Sequence, residues 1–145
     1  MAERDGAART ARPRPIEDRQ TAPYWAAARN GELVVQWCSA CDLLLHPSLP
    51  CCPWCLATDL DWHPVSGRGE VWSVCVAWAA LVPGFAPPYV VADVALEEQP
   101  DVRLTANIVG PDATRTAVGR RVEVVFEDRG EGIVVPQFEL VDKDA

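Results

Sequence analysis

The sequence contains no apolar stretch long enough to cross a bilayer as a helix. The longest apolar stretch, residues 71–82, is interrupted by Ser73 and ends at Pro83. The first residues also lack the apolar core of a secretory signal peptide. These absences predict a cytoplasmic protein that does not bind membranes. In that reducing compartment, clustered cysteines are more typical of metal sites than of disulfides.

The sequence also lacks a recognisable catalytic constellation. It has only two histidines, His46 and His63, and each precedes a proline. There is no Gly-x-Ser-x-Gly, no phosphate loop and no Gly-x-Gly-x-x-Gly. Asp93 interrupts an apolar strand, where we expect it to face solvent or to pair with Arg68 or Arg103. We therefore name no catalytic residue and expect that the chain is not an enzyme on its own.

Basic residues are scarce, with 13 Lys and Arg against 21 Asp and Glu, so the formal net charge is −8. A protein that follows nucleic-acid phosphates needs a basic face, and this balance counts against one. A small anionic ligand held by a few arginines is still compatible with the charge. The 49% of hydrophobic residues and the six Trp provide a core for one ordinary domain, or for two small ones that share it.

Four cysteines have the spacing of a closed metal site. They form two pairs, Cys38-x2-Cys41 and Cys52-x2-Cys55, separated by ten residues. Each pair directs two sulfurs from one tight turn, and two facing turns supply a tetrahedron for zinc. An iron centre of the rubredoxin type has the same ligand geometry. With four thiolates and no open position for water, we predict a structural zinc ion; Cys51 is an alternative to Cys52 that the spacing disfavours.

The rest of the chain predicts a mainly β protein. We expect a disordered tail over residues 1–20, a short helix over 21–32, a rubredoxin-like zinc ribbon over 33–63 and a five-stranded OB-fold barrel over 64–145. The barrel strands are predicted near residues 70–82, 88–96, 102–108, 122–127 and 133–141. Cys75 lies in the first of these runs, which is apolar on both faces, and we expect it in the core.

Four aromatic residues are candidates for contact with a ligand or a partner. Tyr24 and Trp25 lie in a helix too short to be stable alone, so they must pack on the rest of the chain or on a partner. Phe85 and Tyr89 lie in a stiff, proline-rich loop between two apolar strands. Such a loop loses little entropy when it binds.

The order of several motifs along the chain resembles one known family. In chain order the motifs are Tyr24-Trp25, residues 31–33, the first cysteine pair, His46-Pro47, the second cysteine pair, residues 66–71, Pro83-Gly84-Phe85, Pro88-Tyr89, Val118-Gly119 with Val122, and Phe138. The family is that of the zinc-ribbon/OB-fold proteins associated with acyl-CoA metabolism. The resemblance extends over nearly everything after about residue 20.

This resemblance implies an accessory subunit in a hetero-oligomer. Members look like obligate partners of thiolase-superfamily enzymes, including steroid side-chain aldolases and thiolases of aromatic degradation; others pair with hydratases of the hot-dog fold. It implies that the ribbon and helix contact the partner and that the barrel helps hold a CoA thioester. It also implies that the four paired cysteines match the family's zinc ligands. The chain departs from the family pattern at Cys51 and at residues 116–119.

We therefore predict a non-catalytic zinc-binding subunit that binds a thiolase or retro-aldolase of the thiolase fold and helps hold its acyl-CoA substrate, in lipid, steroid or aromatic catabolism. One alternative is a nucleic-acid-binding ribbon/OB module, which the acidic composition disfavours. A second is a partner of a hot-dog-fold acyl-CoA hydratase. A third is an enzyme acting on a thioester through His63 or Asp93.

Overall fold

Helix α1 spans Ala22–Arg29 in the computed structural model, which describes residues 12–141. Pro23 suits the first turn, and Gly31 ends the helix in the left-handed region at φ 74°. The N–H groups of Gly31 and Glu32 donate to the carbonyls of Ala28 and Ala27, which closes the last turn. The predicted disordered tail lies outside the described residues up to residue 11, and residues 12–20 contain no helix or strand.

The ribbon forms a three-stranded antiparallel sheet. Its strands are β1 (Leu33–Cys38), β2 (Leu43–Leu45) and β3 (Asp61–Val65), in the order β2-β1-β3. Because β1 is central and mostly buried, it delivers Cys38 to the interior at its carboxyl end. The sheet therefore carries the first cysteine turn between β1 and β2.

The second unit is a closed five-stranded barrel with the strand order β4-β5-β6-β8-β7. Its strands are β4 (Arg68–Ala77), β5 (Tyr89–Leu96), β6 (Arg103–Val109), β7 (Arg121–Asp128) and β8 (Val134–Leu140). Neighbours pair antiparallel except β6 with β8, which are parallel. The predicted mainly β fold, with a zinc ribbon before an OB-type barrel, is confirmed.

One continuous core joins the two units. Leu33 and Val35 of the ribbon belong to the same buried cluster as Val94, Leu96 and Phe138 of the barrel. Most of the buried members of this cluster are leucines and valines. The ribbon and barrel therefore share packing, as a chain of this length requires for adequate burial.

Two expectations for β4 are wrong. The strand ends at Ala77 and not near residue 82, and Cys75 is exposed and not in the core. The apolar run suggested burial on both faces, but a register irregularity between Val71 and Ser73 changes the alternation of side chains. Since Cys75 then faces outward, its apolar neighbours in sequence do not bury it.

Within the described residues, no helix has both the length and the apolarity that a membrane crossing requires. Helix α1 has eight residues.

Candidate functional site: a four-cysteine centre and an aromatic groove

The two cysteine turns have the same backbone design. In each, the residue after the second cysteine has a positive φ: 53° at Asp42 and 61° at Leu56. This left-handed residue reverses the chain tightly. In the second turn, the Cys52 and Leu56 N–H groups donate to the carbonyls of Ala57 and Cys52, at 2.8 and 3.0 Å. The two turns thereby present their thiols toward one point.

The four thiols lie at distances that suit a tetrahedral ion. The sulfur atoms of Cys38, Cys41, Cys52 and Cys55 all lie within 4.8 Å of one another. The Cys38–Cys55 separation is 3.6 Å and the Cys41–Cys52 separation is 3.9 Å. A Zn–S bond of about 2.3 Å places the sulfurs of a tetrahedron roughly 3.8 Å apart. The residues present therefore fit a zinc ion, and Cys51 lies outside the cluster.

The thiols differ in burial and in acidity before a metal binds. Contact with the Cys55 thiol, together with burial, raises the pKa of Cys41 to about 12. Burial also opposes ionisation of Cys52, but the backbone N–H groups of Cys55 and Trp54 lower its pKa to about 7. These N–H groups stabilise a thiolate, which is the form that binds a metal.

A groove on the barrel lies where OB folds bind their ligands. That face consists of the second and third barrel strands with the loops between strands one and two and between strands four and five. Here these are β5 and β6, residues 78–88 and residues 129–133. A cavity of about 530 Å³ opens between them and extends onto β8 and α1.

All four aromatic candidates line this groove: Tyr24, Trp25, Phe85 and Tyr89. Phe85 and Tyr89 pack with ring centroids 5.1 Å apart, and Tyr24 and Trp25 meet edge to face at 5.0 Å. Burial raises the pKa of Tyr24 to about 12, so its phenol is neutral. The structure thus places the helix pair and the loop pair on one surface. A direct role for these residues in ligand or partner contact stays a prediction.

Polar and charged groups complete the groove. Gln137 is 3% exposed, and its side-chain oxygen accepts from the Asn107 N–H at 2.8 Å. Its amide nitrogen lies 3.3 Å from Glu127, which also pairs with Arg12 at 3.4 Å and with Arg129 at 3.9 Å. The groove therefore combines an aromatic surface with a rim of paired arginines and glutamates.

Sequence reasoning missed the arginines of this rim. Arg12 and Arg14 fall in the segment predicted to be a disordered tail, where nothing in the pattern links them to the barrel. A signal was available for Arg129, because Asp128, Arg129 and Gly130 mark a turn between two predicted strands. Only the fold shows that this turn faces the aromatic loop.

The remaining polar candidates have structural contacts. His63 stacks on Trp37 with ring centroids 4.9 Å apart. Asp93 accepts hydrogen bonds from Ser73, at 2.9 Å, and from Thr105. The hydrogen bond from the Thr105 hydroxyl, and to a smaller extent that from Ser73, holds the pKa of Asp93 below its usual range. Asp93 thus has partners other than the arginines expected for it, although the charge of Arg103 also contributes.

A second, larger cavity of about 800 Å³ lies on the outer face of β4, β5 and β7. Within it Arg68 pairs with Glu97 at 2.7 Å, and the Arg103 guanidinium lies 3.6 Å from the centre of the Trp72 ring. We favour the aromatic groove as the functional site because it occupies the ligand face of the fold and gathers the predicted aromatics.

Two family models match adjacent parts of the chain. The ChsH2 rubredoxin-like zinc ribbon domain matches residues 25–61, and the ChsH2 C-terminal OB-fold domain matches residues 62–127.

Among curated proteins, two alpha subunits are similar. A probable enoyl-CoA hydratase alpha subunit of Thermomonospora curvata is 39% identical over 127 residues, which cover 88% of this chain and 39% of that protein. The 3-oxo-4,17-pregnadiene-20-carboxyl-CoA hydratase alpha subunit of Mycobacterium tuberculosis is 36% identical over 115 residues, covering 79% and 36% respectively. The chain thus spans less than two fifths of the length of these relatives.

Two solved structures are also similar. A chain of the Ltp2-ChsH2(DUF35) aldolase superimposes with a TM-score of 0.80 and is 36% identical; the match covers 89% of this chain and 100% of that one. A DUF35-family protein of unknown function from Sulfolobus solfataricus has a TM-score of 0.60 at 12% identity, covering 84% and 85% respectively. The second likeness shows the fold alone.

Proposed function

Since this chain belongs to the ChsH2 family of zinc-ribbon/OB-fold proteins, we propose that it is a non-catalytic accessory subunit of an enzyme that forms or cleaves carbon–carbon bonds in acyl-CoA thioesters. The observation that carries this proposal is the match to a chain of the Ltp2-ChsH2(DUF35) aldolase, which is covered in full. The hydratase alpha subunits are matched only in part, so they favour hydratase chemistry less.

The proposed partner is an enzyme of the thiolase fold. Exposed apolar side chains support a protein partner: Trp54 and Leu56 on the second cysteine turn are 72% and 71% exposed, and Trp78 and Leu81 on the β4–β5 loop are 72% and 71% exposed. Tryptophan is enriched among the few interface residues that contribute most of the binding free energy. These two clusters are the surfaces on which we expect association to bury apolar area.

The proposed ligand of the aromatic groove is the partner's CoA thioester. The aromatic surface suits the apolar and amide-bearing arm of such a molecule, and Arg129, the rim arginine outside residues 12–15, suits its phosphates. The groove would hold the substrate while the partner supplies the reacting groups.

The proposed occupant of the four-cysteine centre is a structural zinc ion. A bound zinc would supply folding free energy here, because four thiolates leave no position for a water. Its place beside the exposed Trp54 would make the zinc turn a rigid support for an interface.

The decisive experiment is affinity purification of the tagged chain from its native source under mild lysis, with mass spectrometry of proteins that co-elute in stoichiometric amount. We expect a thiolase-fold protein whose purified complex cleaves or condenses an acyl-CoA. Trp54→Ala should reduce co-elution, while Trp72→Ala, a tryptophan outside both clusters, should not. A stoichiometric hot-dog-fold hydratase would refute the aldolase or thiolase assignment, and elution of the chain alone would refute the accessory role.

A further inference from the structure

The chain's own N-terminal segment crosses the aromatic groove. Residues 12–15, Arg-Pro-Arg-Pro, are here called the strap; Pro13, Arg14 and Pro15 line the groove. The Arg12 Nε donates to the Gly84 carbonyl at 3.3 Å, and its guanidinium lies 4.5 Å from the centre of the Phe85 ring. The strap is thereby attached to the β4–β5 loop on one side of the groove.

The strap is also attached to the other side. Arg12 pairs with Glu127 at the end of β7, and Arg14 pairs with Glu131 in the β7–β8 loop. The Arg14 pair is well exposed, with both side chains more than 60% accessible. The Arg12–Glu127 pair is partly exposed, at 30% and 35%. Solvent-accessible ion pairs contribute little stability, so both pairs are contacts that a ligand could replace.

Trp25 lines the same groove as the strap and has a buried hydrogen-bond donor for which the described residues offer no acceptor. The Trp25 Nε1 atom is inaccessible and has no hydrogen-bond partner within residues 12–141. Trp25 lines the groove and also a small cavity of about 240 Å³ that it shares with Pro15. A buried N–H without an acceptor costs free energy, and each such group in a native structure calls for an explanation.

We propose that the strap is displaced when the groove binds its ligand, and that the Trp25 indole N–H then donates to a carbonyl oxygen of that ligand. The proposal rests on the proposed CoA thioester, which carries one thioester and two amide carbonyls. The closed strap lowers ligand affinity because only the open fraction can bind. Trp25 is therefore a specificity-determining residue for an acceptor-bearing, elongated ligand.

The strap is tested without any ligand, by solvent exchange of tryptophan indole protons in the ¹⁵N-labelled full chain, with Trp25 assigned by triple-resonance spectroscopy. In the wild type, Trp25 should exchange far more slowly than the exposed Trp54. Arg12→Ala combined with Arg14→Ala should accelerate Trp25 exchange roughly fivefold, the loss expected for two weak ion pairs. Arg19→Ala, in the same segment but outside the groove lining, should leave it unchanged. If the Trp25 indole proton exchanges equally fast in the double variant and the wild type, the proposal that the strap closes the groove is overturned.

The ligand contact is tested by titration with acetyl-CoA. The Trp25 indole proton should shift downfield, and the double variant should bind more tightly by about the factor that its exchange increased. Trp25→Phe keeps an aromatic ring and should weaken binding roughly threefold to tenfold, the loss of one hydrogen bond. Weaker binding by the double variant, or binding that leaves Trp25 unshifted, would overturn the inference. No binding by any variant would refute the ligand assigned in the proposed function, while the exchange result would still decide the strap.

Discussion

Leu56 shows how a single residue can carry backbone strain for a metal turn. It occupies the left-handed region at φ 61°, where a β-carbon is unfavourable, and its side chain is 71% exposed. Asp42 holds the equivalent position in the first turn, where its carboxylate accepts from the Trp37 indole at 3.1 Å. Asp42 thus gains a contact from its unusual backbone, whereas an exposed leucine gains little within the isolated chain.

Replacing Leu56 by glycine should therefore stabilise the zinc-loaded chain, by about 0.5–1 kcal/mol, because glycine adopts positive φ without steric cost but loses more entropy on folding. Leu56→Ala keeps the β-carbon and should give no such gain. The free energy of unfolding from urea titration measures both. Equal stability of the two variants would show that the conformation at residue 56 is not strained.

Asp93 should make the chain less stable in acid. Hydrogen bonds from Thr105 and Ser73 lower the pKa of Asp93 in the folded state. The resulting stability is present above the pKa of Asp93 in the unfolded state, about 3.9, and is lost as the pH falls through its lower pKa in the folded state. Asp93→Asn should flatten the decline in melting temperature between about pH 5 and pH 2, measured by circular dichroism. A decline as steep as that of the wild type would contradict the role of this carboxylate.

At the scale of elements, sequence patterns predicted the strands better than their outward faces. The alternation of apolar and polar residues in β6 and β7 could be recognised in the sequence because one face of each strand is exposed to solvent, as at Thr105 and Glu123. The end of β4 and the exposure of Cys75 were not, because an apolar run with a register irregularity does not indicate which face is buried. The cysteine cluster could be predicted because its ligands are local in sequence. The groove could not, since its walls come from segments more than 100 residues apart.

The turn between β3 and β4 depends on a glycine for two separate reasons. Gly67 has φ +75°, and a β-carbon there would lie 2.2 Å from the Val124 side chain. The Gly67 carbonyl also accepts from the Val124 N–H at 2.8 Å, and this hydrogen bond would have to break for the turn to move away from β7. Close approach to β7 and a left-handed backbone are thus required together.

Gly67→Ala should destabilise the chain by about 2–5 kcal/mol, the sum of a left-handed alanine and an overpacked contact. Gly130→Ala is the matched control, since Gly130 has φ +79° but no atom within 4 Å of a built β-carbon. It should cost only the backbone term of about 1–2 kcal/mol. Chemical denaturation of both variants measures the difference. Equal losses of unfolding free energy would show that Val124 on β7 moves to accommodate the new β-carbon without a measurable effect on stability.

For the whole molecule, the shared core links the metal site to the barrel. Leu33 and Val35 belong to the barrel's buried cluster and lie on the strand that ends at Cys38. Loss of the metal should therefore not stay local. The zinc-loaded chain should unfold in one cooperative step.

Cys55→Ser should remove bound zinc and lower the melting temperature of the whole chain, because the binding free energy of a closed site is folding free energy. Metal content by mass spectrometry and thermal unfolding measure the two effects. Cys51→Ser should keep one zinc per chain, since Cys51 lies outside the cluster. A Cys55→Ser chain with normal zinc content and unchanged melting would refute the ligand assignment, and iron in the wild type would replace zinc as the occupant.

The β5–β6 loop reaches back to the ribbon through Gln99. The Gln99 side-chain oxygen accepts from the Leu44 N–H at 2.8 Å, and its amide nitrogen donates to the Leu44 carbonyl at 3.1 Å. Leu44 belongs to β2, the outer strand of the ribbon sheet. Open edges of this kind recruit strands from other molecules and seed aggregation. Because Gln99 occupies both backbone hydrogen-bonding groups of Leu44, a strand from another copy of the chain cannot pair with this residue at the edge of the ribbon sheet.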